Sequence, residues 1–332
     1  MPLHDISYQH WKGVHVGLWG RRWVIARNGL TACLQNRWMR HLIVLCWITA
    51  LVMASMLFLV GQLLVSDSIV VQWLANLNYP GLQAFARLLT TWLELHPEIS
   101  VRTTQNVLFY YFGISLMRIS IFALGLAMPL LITRDLASNA IVVYASKAVS
   151  RGDYLLGKFA TAFGLIAFTW LGPVFAAWFM GNLLGPDWRF FWHSRAALGH
   201  VFLYGLSSMC ILSLLALAVS ASSTKEKATP AFWFMWWIVG AVIGPIAIQT
   251  QPWLRHLSFS YNLDQIALAV FRIGDDLKTA QNNIPILGDL LRGIHPGTIT
   301  ALSTPAIWGA IFALLLMLAI ASFVIGKRVK PE

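Results

Sequence analysis

Acidic residues are scarce in this chain: 13 Asp and Glu stand against 24 Lys and Arg in 332 residues, and charged residues of either sign make up 11%. A soluble domain has about a quarter of its residues charged, so this chain has too little charge to cover a surface in water. Cysteine is equally sparse. Cys33, Cys46 and Cys210 are odd in number and far apart, which excludes a disulfide framework and a thiolate metal site. No HExxH or GxSxG pattern occurs, and His193 and His200 stand seven apart. The sequence therefore offers no catalytic, cofactor or metal site. One phosphate-loop match exists, Gly152 to Lys158 reading GxxxxGK, but Phe159 stands where a hydroxyl should hold magnesium. Tyr154, Leu155 and Leu156 also fill the loop where backbone must approach phosphate. The chain is not expected to be an enzyme.

What it has in abundance is apolar sequence. Hydrophobic residues make up 58% and the mean hydropathy is +0.67. A hydrocarbon layer about 30 Å thick takes roughly 20 apolar residues as helix. Six runs qualify or come close: Leu42 to Val65, Val107 to Thr133, about Ala160 to Leu184, about Ala197 to Ala221, the short Ala231 to Ile248, and Pro305 to Gly326. The expected fold is all-α and polytopic, with about six transmembrane helices. With the N-terminus inside, 15 of the 24 Lys and Arg fall in the inner segments 1–41, 134–159, 222–230 and 327–332. The longer outer segments hold 8, and Arg118 is the one within a run. Both termini are thus expected in the cytoplasm. The net charge of +11 would suggest nucleic acid in a soluble protein. Here the cations flank apolar runs, so they read as topology signals and contacts to anionic membrane lipid, with no nucleic-acid partner.

Two domains of unequal weight follow: an interfacial segment over 1–41 and a membrane domain over 42–332. Trp11, Trp19 and Trp23 alternate with Lys12, Arg21, Arg22 and Arg27, as in an amphipathic helix lying at headgroup level rather than a signal peptide. The outer segments 66–106 and 249–304 are read as loops, the second holding an apolar stretch, Ile266 to Phe271, suited to a short re-entrant or surface helix. Asp275-Asp276 reads as a solvated turn. Arg118 lies mid-run with no Asp or Glu inside any run to neutralise it, so it either meets an anionic substrate in a cavity or bonds to Ser115, Ser120 or backbone. The lack of intramembrane carboxylates also argues against ion-driven transport.

The segment between the second and third runs is the most informative. Leu136, Ala140, Val143 and Tyr144 fall at helical spacing, the helix should break near Ser146 to Gly152, and Tyr154 should restart one. Asp135, Tyr144, Ser146, Lys147, Arg151, Tyr154, Gly157 and Lys158 match the pattern of the cytoplasmic loop in ABC-2 type permeases, the membrane subunits of ATP-driven exporters. Ser258-Phe259-Ser260-Tyr261-Asn262-Leu263 is similar to the stretch those permeases carry after their fifth span. The resemblance implies a permease of the inner (cytoplasmic) membrane that pairs with a second permease copy or homologue and draws energy from a separate ABC ATPase subunit. It implies that the 134–158 loop is the coupling element, with Arg134, Asp135, Tyr144, Lys147, Arg151 and Tyr154 at the contact. The alternative is a membrane scaffold or assembly factor for a surface complex, whose working parts would be the 66–106 and 249–304 loops.

Overall fold

The computed structural model describes residues 17–63, 65, 68–76, 97–140, 150–185, 188–283 and 305–329, with scattered positions between 81 and 95. Among the described residues there are helices and no strands, and the chain is an all-α polytopic membrane protein. A backbone in lipid must satisfy its own hydrogen bonds, and helices do so within each segment.

Among the described residues are twelve α-helices. They are α1 (Leu18–Gln35), α2 (Arg37–Leu63), α3 (Ile69–Ala75), α4 (Pro97–Met128), α5 (Arg134–Ala137), α6 (Arg151–Ile166), α7 (Gly172–Leu183), α8 (Trp188–Ala221), α9 (Ala228–Thr250), α10 (Phe259–Phe271), α11 (Ile273–Asn283) and α12 (Ile307–Arg328). A π-helical turn, Pro129–Thr133, joins α4 to α5, and a second, Ala167–Leu171, joins α6 to α7. Five continuous helices are long and apolar enough to cross a membrane: Arg37–Leu63, Pro97–Ala137, Arg151–Leu183, Phe190–Ala221 and Ile307–Arg328. The 23-residue α9 is the sixth apolar helix. Several extend beyond the apolar runs. The 41 residues from Pro97 to Ala137 rise about 60 Å at 1.5 Å each, so the start of α4 stands clear of the hydrocarbon in what the sequence presents as loop. Likewise α8 begins at Trp188, inside the expected outer segment.

Both π turns sit beside prolines. Pro129 opens the first, and Pro173 follows the second by two residues. Proline removes a donor and crowds the carbonyl four residues back, and a widened turn accommodates it. Ser220 secures the first. Its hydroxyl accepts from the Ile132 and Thr133 N–H groups at 2.8 and 3.1 Å and donates to the Met128 carbonyl at 2.8 Å.

Side-chain contacts fix the helix directions. Asn106 meets His200 while Ile132 meets Ser220, so α4 and α8 run parallel. Arg22 meets Asp153 and Leu30 meets Gly164, so α1 runs parallel to α6. Small residues permit these approaches: Gly157 receives Ile25, Gly125 receives Trp233, and Gly113 takes the Trp170 ring, whose Nε1 donates to the Gly113 carbonyl at 2.7 Å. The interfacial helix expected within 1–41 is, where it is described, a helix docked on α6, its first turns exposing Leu18, Trp19, Trp23 and Val24.

The stretch after α9 folds back. The 3₁₀ turn Pro252–Leu257 lies along α9, where Trp236 Nε1 donates to the Leu257 carbonyl at 3.1 Å. Ser258 then caps α10 by accepting from Tyr261 N–H, and Phe259 stacks on Trp233 with centroids 5.1 Å apart. Asn262, fully buried, holds the cap by donating to the His256 carbonyl at 2.8 Å. The Ser258–Leu263 stretch therefore has a local structural role: it starts α10. Arg272, in left-handed backbone at φ 52°, turns α10 into α11.

Candidate functional site

Basic residues of four separate segments gather at one end of the bundle. There Asp135, on the first turn of α5, accepts from Lys158 Nζ at 2.7 Å and from the Tyr154 hydroxyl at 2.7 Å. Lys158 is 8% exposed and also donates to the Leu130 carbonyl within the π turn, at 3.1 Å. The Thr133 hydroxyl meets Ser220 and Thr229, at 3.0 and 3.2 Å, linking the same point to α8 and α9. Arg134 pairs with Glu226 at 3.2 Å, with both side chains about half exposed. Arg151 donates to the Ile325 and Gly326 carbonyls at 3.1 and 2.8 Å, satisfying the C-terminal carbonyls of α12. Ser150 caps α6 and also bonds Asp153, which in turn holds Arg22 at 2.6 Å.

The six residues singled out in this segment therefore separate. Asp135 and Tyr154 are joined to each other inside the fold, Arg151 is spent on α12, and Arg134 remains at the surface. Tyr144 and Lys147 lie outside the described residues. The helix expected from Asp135 through Tyr144 is interrupted: α5 ends at Ala137, and Asn139 takes left-handed backbone at φ 53°. Asn tolerates that conformation better than most residues. Sequence reasoning did not select Lys158, Thr133, Ser220, Thr229 or Glu226 as functional. Only Lys158 carried a signal, standing in the loop pattern at a depth where a lone ammonium needs a counter-charge.

Arg118 has a partner that the sequence reading did not supply. Asp264 of α10 stands 3.7 Å away, with the two side chains 58% and 31% exposed. Ser115 and Ser120 are not its partners: Ser115 bonds the Tyr111 carbonyl, and Ser120 bonds Thr169. Asp264 lies outside the six apolar runs, on α10, which packs against α4 and α12. With Tyr111, Ser115 and Phe122, Arg118 forms an exposed stripe along α4. An Arg at the middle of a span costs about 2.5–3.5 kcal/mol by insertion scales, so this face is built for water or protein rather than acyl chains.

At the far end of α4, Asp276 is buried rather than solvated, which corrects the expectation of an open turn. It accepts from Asn106 Nδ2 at 2.8 Å, Asn106 Oδ1 meets His200 at 3.1 Å, and Arg102 lies 3.9 Å from the carboxylate. The first turn of α11 thus docks on α4, whose Asn106 also meets His200 of α8, while Asp275 stays exposed. Among the described residues no three His, Cys, Asp or Glu side chains converge as a metal ion would require.

No protein-family model matches this sequence, and no curated protein matches it. The functional reading rests on the residues themselves.

Proposed function

We propose that this chain is the membrane-spanning permease subunit of an ATP-driven exporter resembling the ABC-2 type, seated in the cytoplasmic membrane. It works with a second permease copy or homologue and with a separate ATPase subunit. The observation that carries this reading is the polar network at the basic end. The segment between α4 and α6 is short, its root is bonded into α4, α6, α8 and α9, and its Arg134–Glu226 pair lies on the surface. Force applied there reaches four spans through buried hydrogen bonds. The basic end is the cytoplasmic one by its excess of Lys and Arg, so an ATP-hydrolysing partner would meet it.

In this reading Asp135, Tyr154 and Arg151 position the platform, and Arg134 and Glu226 form its outer edge. The stripe Tyr111, Ser115, Arg118 and Phe122 faces a space shared with the second permease, where Arg118 is available to an anionic group because Asp264 holds it only loosely. The π turns provide the compliance, since widened turns concentrate bending where the regular ladder is already broken.

The test is purification of the tagged full-length chain from its own membranes in mild detergent, with ATP hydrolysis assayed in the eluate. Co-purifying hydrolysis that falls at least about tenfold in an Arg134→Glu, Glu226→Arg double exchange, while Arg118→Leu still retains the partner, supports the reading. A folded chain without any ATPase supports a scaffold or assembly factor instead.

A further inference from the structure

An apolar groove of about 650 Å³ lies between α8, α9 and α12. Leu215 and Val219 form its floor, Met235 and Val239 one wall, and Met317 and Ile320 the other. Ser222 is its one polar lining residue. α12 packs along α8, while α9 and α12 make no extensive contact with each other. The groove therefore opens sideways into the leaflet at the basic end.

Its mouth is cationic. Beyond Ser222 the chain continues into Lys225 and Lys227, and beyond Val324, the last lining residue of α12, into Lys327 and Arg328. All four are exposed, and none makes an ion pair among the described residues. The one acid nearby, Glu226, is taken by Arg134. An apolar trough whose bounding helices run on into four exposed cations fits an acyl chain beneath an anionic phosphate.

We propose that this groove binds one anionic phospholipid from the leaflet at the basic end, its chains along α8 and its phosphate against Lys225, Lys227, Lys327 and Arg328. A second copy of the chain fits less well, because a two-fold contact at this mouth would bring two sets of four cations together. The site needs only the membrane-spanning fold and stands whether or not the chain is a permease. Bound there, the lipid bridges α9 and α12 beside the Arg134–Glu226 edge.

The experiment uses Trp236, which lines the groove. The full-length protein is placed in phosphatidylcholine nanodiscs with increasing fractions of brominated-chain phosphatidylglycerol or brominated-chain phosphatidylcholine. The Trp236 contribution is the part of the quenching lost in Trp236→Phe. Expected is quenching by phosphatidylglycerol at a mole fraction at least about tenfold lower than by phosphatidylcholine. The preference should vanish in K225Q/K227Q/K327Q/R328Q, which leaves the groove intact, and inorganic phosphate should not displace the lipid. Ala321→Phe, which fills the groove, should weaken quenching by both lipids. Equal quenching by the two lipids in the natural chain overturns the proposal. So does absence of quenching together with a disulfide between copies in Ile320→Cys, which would make the groove an interface.

Discussion

At the scale of single residues, polar atoms that are buried and fully engaged hold the helices of the basic end together. Ser220 is the simplest. Replacing it with Ala leaves the Ile132 and Thr133 N–H groups and the Met128 carbonyl without their partner. The expected cost is about 1–3 kcal/mol, read as a lower thermal midpoint in detergent, with Ser220→Thr losing less. Asp135 and Lys158 form the second case. Asp135→Asn strands a nearly buried ammonium, expected to cost about 3–5 kcal/mol. The Asp135→Asn/Lys158→Met double variant should lose markedly less than the two single variants added together, and additive losses would show the pair to be uncoupled. Little of this was legible in the sequence. Asp135 and Lys158 each stood out, but their pairing needs α6 to pack against the π turn at the end of α4, which spacing in the sequence does not show. Ser220 looks like any small residue in an apolar run. Arg118 was legible as an anomaly, and its partner was not, because Asp264 sits in a stretch that hydropathy reads as loop.

At the scale of elements, α1 is the piece whose packing partner was hidden in the sequence. Composition puts its Trp and Arg residues at headgroup level; the complementary glycines decide that its other face docks on α6. Gly157 and Gly164 form the surface that Ile25 and Leu30 occupy, and Arg22 reaches Asp153. Docking also seals Cys33, whose thiol burial pushes up to about 11, partly countered by the charge of Lys158. A raised thiol pKa keeps the reactive thiolate scarce at neutral pH. Maleimide labelling of Cys33 is therefore expected to stay slow up to about pH 9 in the natural chain and to rise sharply in Gly157→Leu, measured in a background where Cys46 and Cys210 are Ser. Fast labelling of the undisturbed chain would show that α1 lies free. Helix ends elsewhere depart from the apolar runs for a common reason. Hydropathy marks where lipid is, whereas α4 and α8 continue as helix into the polar region because Asn106, His200 and Asp276 hold them together there.

At the scale of the whole molecule, the arrangement is a bundle with a polar node at each end and a charge pair between them. The basic end ties the 134–158 root to four spans, the opposite end docks α11, and Arg118–Asp264 joins α4 to the folded-back α10 at mid-depth. An all-α membrane fold with about six spans was readable from run lengths, because the bilayer sets them. The division of the loop residues into inward positioning groups and an outward edge was not, since spacing in the sequence says nothing about which polar side chains find one another.

In the proposed permease, energy arrives at the segment following α4 from another chain. The most direct measurement replaces Ala137, exposed beside Arg134, with a photoreactive benzoylphenylalanine in the living cell, and places the same residue at Phe323 on the exposed face of α12 as a control. Irradiation is expected to join Ala137→benzoylphenylalanine, and not the Phe323 variant, to a protein that hydrolyses ATP. Folded chain at normal level with no such adduct from position 137, or with equal adducts from both positions, would contradict it.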